Sequence, residues 1–195
     1  MSIGCRVKNP KIYLDFLPNV SIVDYMRKVE VVPHNPRWRY LFEIESQAVA
    51  KALVENVVNI HHIGSTAIPS IYAKPIIDLL VEVENIKVVD SHNSMMENIG
   101  YQVMGEFGIS NRRFFRKDNS EGDRTHHVHM FPINSPQIRR HLSFRDYLIN
   151  HSEEAKVYSN LKRKLAQQHP DDIESYMDGK DQFIKNIDIK AAQKY

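Results

Sequence analysis

The chain sets an acid inside an apolar strand, with a Gly-Ser turn before it and a histidine pair after it. Asp78 lies in P-I-I-D-L-L-V-E-V, with Ile77 before it and Leu79 after it. An ionised carboxylate in such a run is costly to bury without partners. It either accepts hydrogen bonds from backbone amides or an arginine, or it stands at the mouth of a site. Upstream, Gly64 lets the backbone come close to a phosphate because no side chain blocks the approach. Ser65 adds a hydroxyl and an amide that phosphate oxygens can use. His127 and His129, two apart in H-H-V-H, share one face of an extended segment. With Asp78 opposite, they make a two-histidine, one-carboxylate set that favours Zn²⁺, Mn²⁺ or Fe²⁺ over Mg²⁺. Without a metal, the same histidines hydrogen-bond within the sheet or hold a phosphate when protonated.

Positive charge is available nearby in sequence. Lys74 and Arg37 can serve as phosphate counter-charges, although Lys74 also reads as an exposed loop lysine. Arg112, Arg113, Arg116 and Lys117 form the only dense basic cluster. That cluster is either a solvated loop or a grip on a phosphate chain or phosphorylated acceptor. Glu106 can add a carboxylate if its loop folds towards Asp78. Arg145 and Asp146 are sequence neighbours on a helix and point in different directions, so they are not a pair by themselves; Arg145 can reach the site, and Asp146 can cap or bridge. Of His61 and His62, one is expected to face the site and one the opposite side of the sheet.

The elements that must position these residues follow from periodicity. Val29–Val32 reads as a short strand closed by Pro33. A helix runs from about Arg37 to Asn56, with Asn35 as N-cap and Pro36 at the first helical position. Leu41, Ile44, Ala48 and Leu53 supply its core face, and Trp38 and Tyr40 read as packing residues. Val57–Ile63 and Pro75–Val83 are strands, and Ile86–Ile99 is a helix ended by Gly100. Tyr101–Met104, F-F-R-K and Thr125–Phe131 are extended, with a turn at D-N-S-E-G-D.

From Ser135 the period becomes helical, with Ile138, Leu142, Phe144, Tyr147 and Leu148 as the first stripe. A second helix, Glu154–Gln168, carries Val157, Leu161 and Leu165 and stops at Pro170. A third runs from Asp171 through Ile187 with a break at Gly179. The fold class is α/β (α+β): a mixed sheet core over residues 27–134 and a C-terminal helical bundle over 135–190.

Composition narrows the classes. A 195-residue chain with 42% hydrophobic residues is long enough for one well-cored domain. A formal net charge of +2 is too small to indicate a nucleic-acid partner, and the basic cluster lacks interleaved aromatics beyond Phe114 and Phe115. A single cysteine, Cys5, excludes an intramolecular disulfide and fits a reducing cytosol. No apolar run reaches membrane-spanning length and no secretory signal is legible, so a cytoplasmic protein without membrane contact is expected. Residues 1–26 read as an N-terminal extension.

The stretch H-I-G-S-T-A-I-P-S-I-Y-A-K-P-I-I-D resembles the signature of the GrpB family, within the nucleotidyltransferase superfamily. P-H-N-P-R-W, G-E-F-G-I-S-N-R-R-F-F-R-K, H-H-V-H and H-L-S-F-R-D-Y-L continue the resemblance, in order, from about Val29 to about Lys185. It implies a nucleotidyltransferase-like sheet core, a nucleoside triphosphate as substrate, and a divalent metal, Mg²⁺ or Mn²⁺. In such a site Gly64 and Ser65 would cradle phosphate, Lys74, Arg112 and Arg113 would bind it, and Asp78 would hold the metal.

One departure matters. The second metal-binding carboxylate of the superfamily pattern should stand two residues after Asp78, where this chain has Leu80. Glu82 shares a strand face with Asp78 but lies about 13 Å away, too far for one metal. The resemblance therefore implies metal-dependent nucleotidyl transfer to a small-molecule or protein acceptor, with two alternatives. One is an inactive module that binds a nucleotide or another phosphorylated small molecule. The other is a metal-dependent hydrolase built on His127, His129 and Asp78.

Overall fold

The computed structural model describes residues 28–194, so the expected extension over residues 1–26 lies outside the described residues. Helix α1 (Arg37–Leu53) starts where Asn35 Oδ1 accepts a hydrogen bond from the Arg37 amide at 3.0 Å. A 3₁₀ turn (Val54–Asn56) leads into β1 (Val57–Ile63), and the glycine loop connects it to β2 (Ile77–Val83). A second 3₁₀ turn (Val88–His92) and the short α2 (Asn93–Asn98) precede β3 (Tyr101–Val103), β4 (Arg113–Asp118) and β5 (Arg124–Pro132). Three helices follow: α3 (Pro136–Asn150), α4 (Ser152–Gln168) and α5 (Ile173–Lys194). Ser135 caps α3, its hydroxyl accepting from the Gln137 amide.

The strands form one mixed sheet in the order β1-β2-β5-β4-β3. β2 and β5 pair in parallel and the other pairs are antiparallel. One face is covered by α1 and α2, where Trp38, Val49, Ala52, Leu53 and Met96 meet Leu79, Val81, Phe115, Val128 and Met130. On the other face Ile63, Leu80 and Phe131 meet Ile138 of α3. Ile68 and Ile71, just past the glycine loop, are buried among Tyr147, Leu148, Ala155, Tyr158 and Ile187. The loop therefore belongs to the core of the helical bundle as much as to the sheet, and the bundle fixes where it sits.

Several elements depart from the sequence reading for physical reasons. The strand expected over Val29–Val32 reduces to one bridge between Val32 and Ala73. β2 begins at Ile77, because Pro75 has no N–H to give the ladder. Trp38 and Leu53 are buried as expected, but Tyr40, Leu41 and Ile44 are exposed, and Val49 and Ala52 complete the inward face of α1. Two apolar stripes compete on α1, and the sheet takes the one carrying the tryptophan, which buries the larger surface. The helix expected across Ile86–Ile99 is divided between the second 3₁₀ turn and α2. On α4, Val157 is exposed, and Ala155, Tyr158, Lys162 and Leu165 form the buried stripe. Helix α5 passes through Gly179 without a break. A Cβ there would come within 3.0 Å of Leu165 Cδ1, so this glycine permits close contact with α4 rather than ending a helix.

Candidate functional site

Strand register assembles the acid and the histidines. Asp78 on β2 stands beside His127 on β5, and Leu80 beside His129. Parallel neighbours point to the same face, so Asp78, His127 and His129 share it. His127 Nδ1 donates to Asp78 Oδ1 at 3.0 Å. One ligand atom from each of the three lies within 4.8 Å of the others. The Asp78 and His127 side chains keep 23% and 24% of their surface exposed, so a ligand can reach them from solvent. Two imidazoles and one carboxylate suit a borderline divalent metal better than Mg²⁺. Leu80, fully buried among Ile63, Phe131 and Ile138, supplies no second carboxylate. Glu82 is committed to His61 at 2.6 Å.

The electrostatics keep this face ready for a cation. Burial pushes the Asp78 carboxyl up, but the His127 hydrogen bond, with smaller contributions from the His127, His129 and His62 imidazoles, outweighs it and holds it below its ordinary value. Burial lowers His129 to about 3, with His141, His127 and Arg112 adding to the effect and Asp78 opposing it. A neutral imidazole is the form that a metal needs. His141 of α3 lies over His129, ring centroids 5.8 Å apart, and burial lowers it to about 4. His61 shares the site face, whereas His62 turns to the α1 side, stacked on Phe42 at 4.8 Å. The Arg145 guanidinium donates to the His62 carbonyl at 3.0 Å and to Asp146 Oδ1 at 2.7 Å. Arg145 and Asp146 are thus a pair after all, because the long arginine folds back across the helix surface.

The phosphate-binding candidates separate. Gly64, at φ 70°, lies directly against the Asp78 carboxylate. Ser65 opens the next turn, and the Tyr158 side chain of α4 reaches it. Lys74 is half-buried rather than exposed, its Nζ 5.9 Å from the centre of the Tyr176 ring. Arg112 is buried beneath the site, donating to the Phe107 carbonyl at 2.7 Å and the Glu106 carbonyl at 3.2 Å, with its guanidinium over Phe114. Arg113 is not brought to the site. Strand alternation turns it to the other face, where it holds both Asp90 oxygens at 2.6 and 2.7 Å. Lys117 likewise faces away and pairs with Glu45 at 2.9 Å. Glu106 accepts from the Asn111 amide at 2.7 Å and lies 3.8 Å from Arg113, so its carboxylate serves its own loop. Arg37 is exposed on the first turn of α1.

Four nearby residues escaped the sequence reading: His141, Tyr158, Lys162 and Lys180. Lys162 lies on the buried stripe of α4, four residues after Tyr158, where a stripe drawn from apolar residues alone passes over it. His141 occupies a comparable position, three residues after the buried Ile138 of α3. No helix among the described residues is long and apolar enough to cross a membrane.

Comparison with known proteins agrees with this architecture. The GrpB protein family model matches residues 28–190. The UPF0157 protein YqkA of Bacillus subtilis is 46% identical over 165 residues, which are 85% of this chain and 48% of that protein. The chain thus spans about half of YqkA's length. The glutamate-rich protein GrpB of Alkalihalophilus pseudofirmus is 36% identical over 82% of this chain and 94% of its own. The crystal structure of the conserved protein GrpB from Enterococcus faecalis superposes with a TM-score of 0.81 at 48% identity, covering 85% of this chain and 99% of that one. With the family model spanning the sheet, the site strands and the C-terminal helices as far as residue 190, this chain belongs to the GrpB family.

Proposed function

We propose that this protein binds a nucleoside triphosphate with one divalent metal ion and transfers a nucleotidyl group to a small-molecule or protein acceptor. The observation that carries this reading is the closeness of Asp78, His127 and His129, within 4.8 Å of one another and against Gly64. A bound metal would neutralise charge developing on phosphate oxygens. The chain's own residues supply the rest. Ser65 and Lys74 offer a hydroxyl and a positive charge to phosphate, and the buried Arg112 holds the 106–112 loop against His129. Paired carboxylates for two Mg²⁺ ions are not available on β2, so the reading is a single-metal one, with Mn²⁺ or Zn²⁺ better matched than Mg²⁺. The nitrogen-rich donor set also favours a second reading, hydrolysis, in which water takes the acceptor's place. Leu80 favours a third, binding without reaction.

Calorimetric titration of Mn²⁺, Zn²⁺ and Mg²⁺ into wild type and Asp78→Asn tests the metal, followed by ATP, GTP, CTP and UTP in its presence. Acceptor-dependent pyrophosphate release supports transfer, and release without an acceptor supports hydrolysis. Binding of metal and nucleotide with no release leaves the binding module. Failure of the wild type to bind any of the three metals would overturn the metal-dependent readings.

A further inference from the structure

We propose that Lys162, Lys180 and Lys74 form a binding site for a phosphate group on the helical side of the Gly64-Ser65 loop. The three lysines come from three elements: Lys74 from the segment before β2, Lys162 from α4 and Lys180 from α5. Lys162 is 1% exposed, and its Nζ has no hydrogen-bond partner among the described residues. That amine sits 4.4 Å from the centre of the Tyr158 ring. Lys180 and Lys74 share a second ring, lying 4.7 and 5.9 Å from the centre of Tyr176. The lysines and the glycine loop are neighbours, because Tyr158 lies under Lys162 and also reaches Ser65.

An amine in such a place costs stability, since a buried positive charge is expensive unless paired. Burial lowers Lys162 to about 7, with Lys180 adding repulsion. Burial likewise lowers Lys180 to about 8, with Lys74 adding to the effect and Asp78 opposing it. A methionine would fill the Lys162 position at lower cost, so the amine is a structural liability in the empty protein. An arriving anion removes it. Phosphate fits better than a carboxylate: it carries up to two charges and several acceptor oxygens, and lysine binds it as a compact point charge. Lys180 and Lys74 are the partly exposed members through which it would enter. The site deepens the nucleotide reading and rests on it only for what carries the phosphate, either a polyphosphate tail or a phosphorylated acceptor.

The test is calorimetric titration of inorganic tripolyphosphate and of ribose 5-phosphate, both in EDTA. The proteins are wild type, Lys162→Met, Lys180→Met and Lys156→Met, the last removing an exposed lysine of the same helix. At least one ligand should bind wild type without metal, and Lys162→Met and Lys180→Met should each weaken it by about tenfold or more. Lys156→Met should bind as wild type does. Lys162→Met should unfold at the same or higher urea concentration than wild type, which separates lost binding from lost folding. Tighter tripolyphosphate assigns the site to a nucleotide's tail, and tighter ribose 5-phosphate assigns it to the acceptor. No binding of either ligand, or binding unchanged in both lysine variants, would overturn the site. Mn²⁺ titration of wild type and Asp78→Asn reads the metal reading separately, so one can fail while the other stands.

Discussion

Asp78 occupies the space that a side chain at Gly64 would need. A Cβ built at residue 64 would come within 2.9 Å of Asp78 Cγ, and closer still to Oδ2. The Gly64 backbone, at φ 70° and ψ −171°, is in a region that side-chain-bearing residues rarely adopt. The glycine therefore makes room for a carboxylate of its own chain, and through it fixes one metal donor. β1 ends one residue earlier, at Ile63, which is the register partner of Asp78. The turn and the acid are thus placed by the same strand pairing.

Gly64→Ala should cost about 2 kcal/mol or more, combining backbone strain with displacement of a packed side chain. Gly108→Ala is the control. It also has positive φ, but nothing lies within 4 Å of the added Cβ, so about 1–2 kcal/mol of backbone cost is expected. Urea unfolding measures both, and Mn²⁺ titration should show weakened binding only in Gly64→Ala. Unchanged Mn²⁺ affinity in that variant would mean that the carboxylate does not depend on the glycine.

Stability should fall as the solution is acidified below neutrality. His62, hydrogen-bonded to Thr66 at 3.0 Å, is lowered to about 4 by burial, helped by Arg145 and His34 and opposed by Asp78. The unfolded chain takes up this proton near pH 6.5 and the folded chain only near 4, so stability is lost between those values as pH falls. His129 and His141, also lowered by burial, act in the same direction. Each histidine can contribute up to about 1.4 kcal/mol per pH unit inside its window. Urea midpoints at pH 7 and pH 5 should differ, and His62→Gln should shrink the difference. A His62 ring proton that titrates near pH 6.5 by NMR would contradict the assignment.

What was legible in the sequence was local. The Asn35 and Ser135 caps, the bounds of β1 and the shared face of His127 and His129 depend on neighbours a few residues away, and the structure keeps them. What was not legible depended on distant partners. Nothing local decides which of two stripes on α1 meets the sheet, and Asp78 joins His127, 49 residues later, only when the acid and the histidines are read as one donor set. Lys162 is hidden for a different reason: apolar spacing marks Val157, Leu161 and Leu165 on α4, and the stripe that packs contains a lysine. The basic cluster could have been divided in advance, since strand alternation alone sends Arg112 and Arg113 to opposite faces.

Gly179→Ala weighs two effects of opposite sign. Alanine in a helix interior gains about 1 kcal/mol over glycine. Against this, the buried Leu165 must move, because its Cδ1 would lie 3.0 Å from the new Cβ, and overpacking costs about 1–3 kcal/mol. A net loss of about 1 kcal/mol is expected, with helix content by circular dichroism unchanged. A variant more stable than wild type would show that the close contact between α4 and α5 is slack rather than tight.

Arg112 and Arg113 are adjacent, yet their removal should have different consequences. Arg113 holds Asp90 with two hydrogen bonds on the face away from the site, and Asp90 is half exposed. Arg113→Ala should cost about 1 kcal/mol or less and leave Mn²⁺ and tripolyphosphate binding unchanged. Arg112 is 6% exposed and satisfies two loop carbonyls while its guanidinium lies 4.9 Å from the centre of the Phe114 ring. Arg112→Ala strands those carbonyls and opens a cavity beneath Phe114, whose ring packs against both His127 and His129. A loss of about 2–4 kcal/mol is expected, together with weaker Mn²⁺ binding. Arg112→Lys keeps the charge but not the planar fork, so it should recover only part of either quantity. Urea unfolding and Mn²⁺ titration on the three variants make the comparison. Equal effects from Arg112→Ala and Arg113→Ala would mean that the sheet does not separate the two arginines as the register requires.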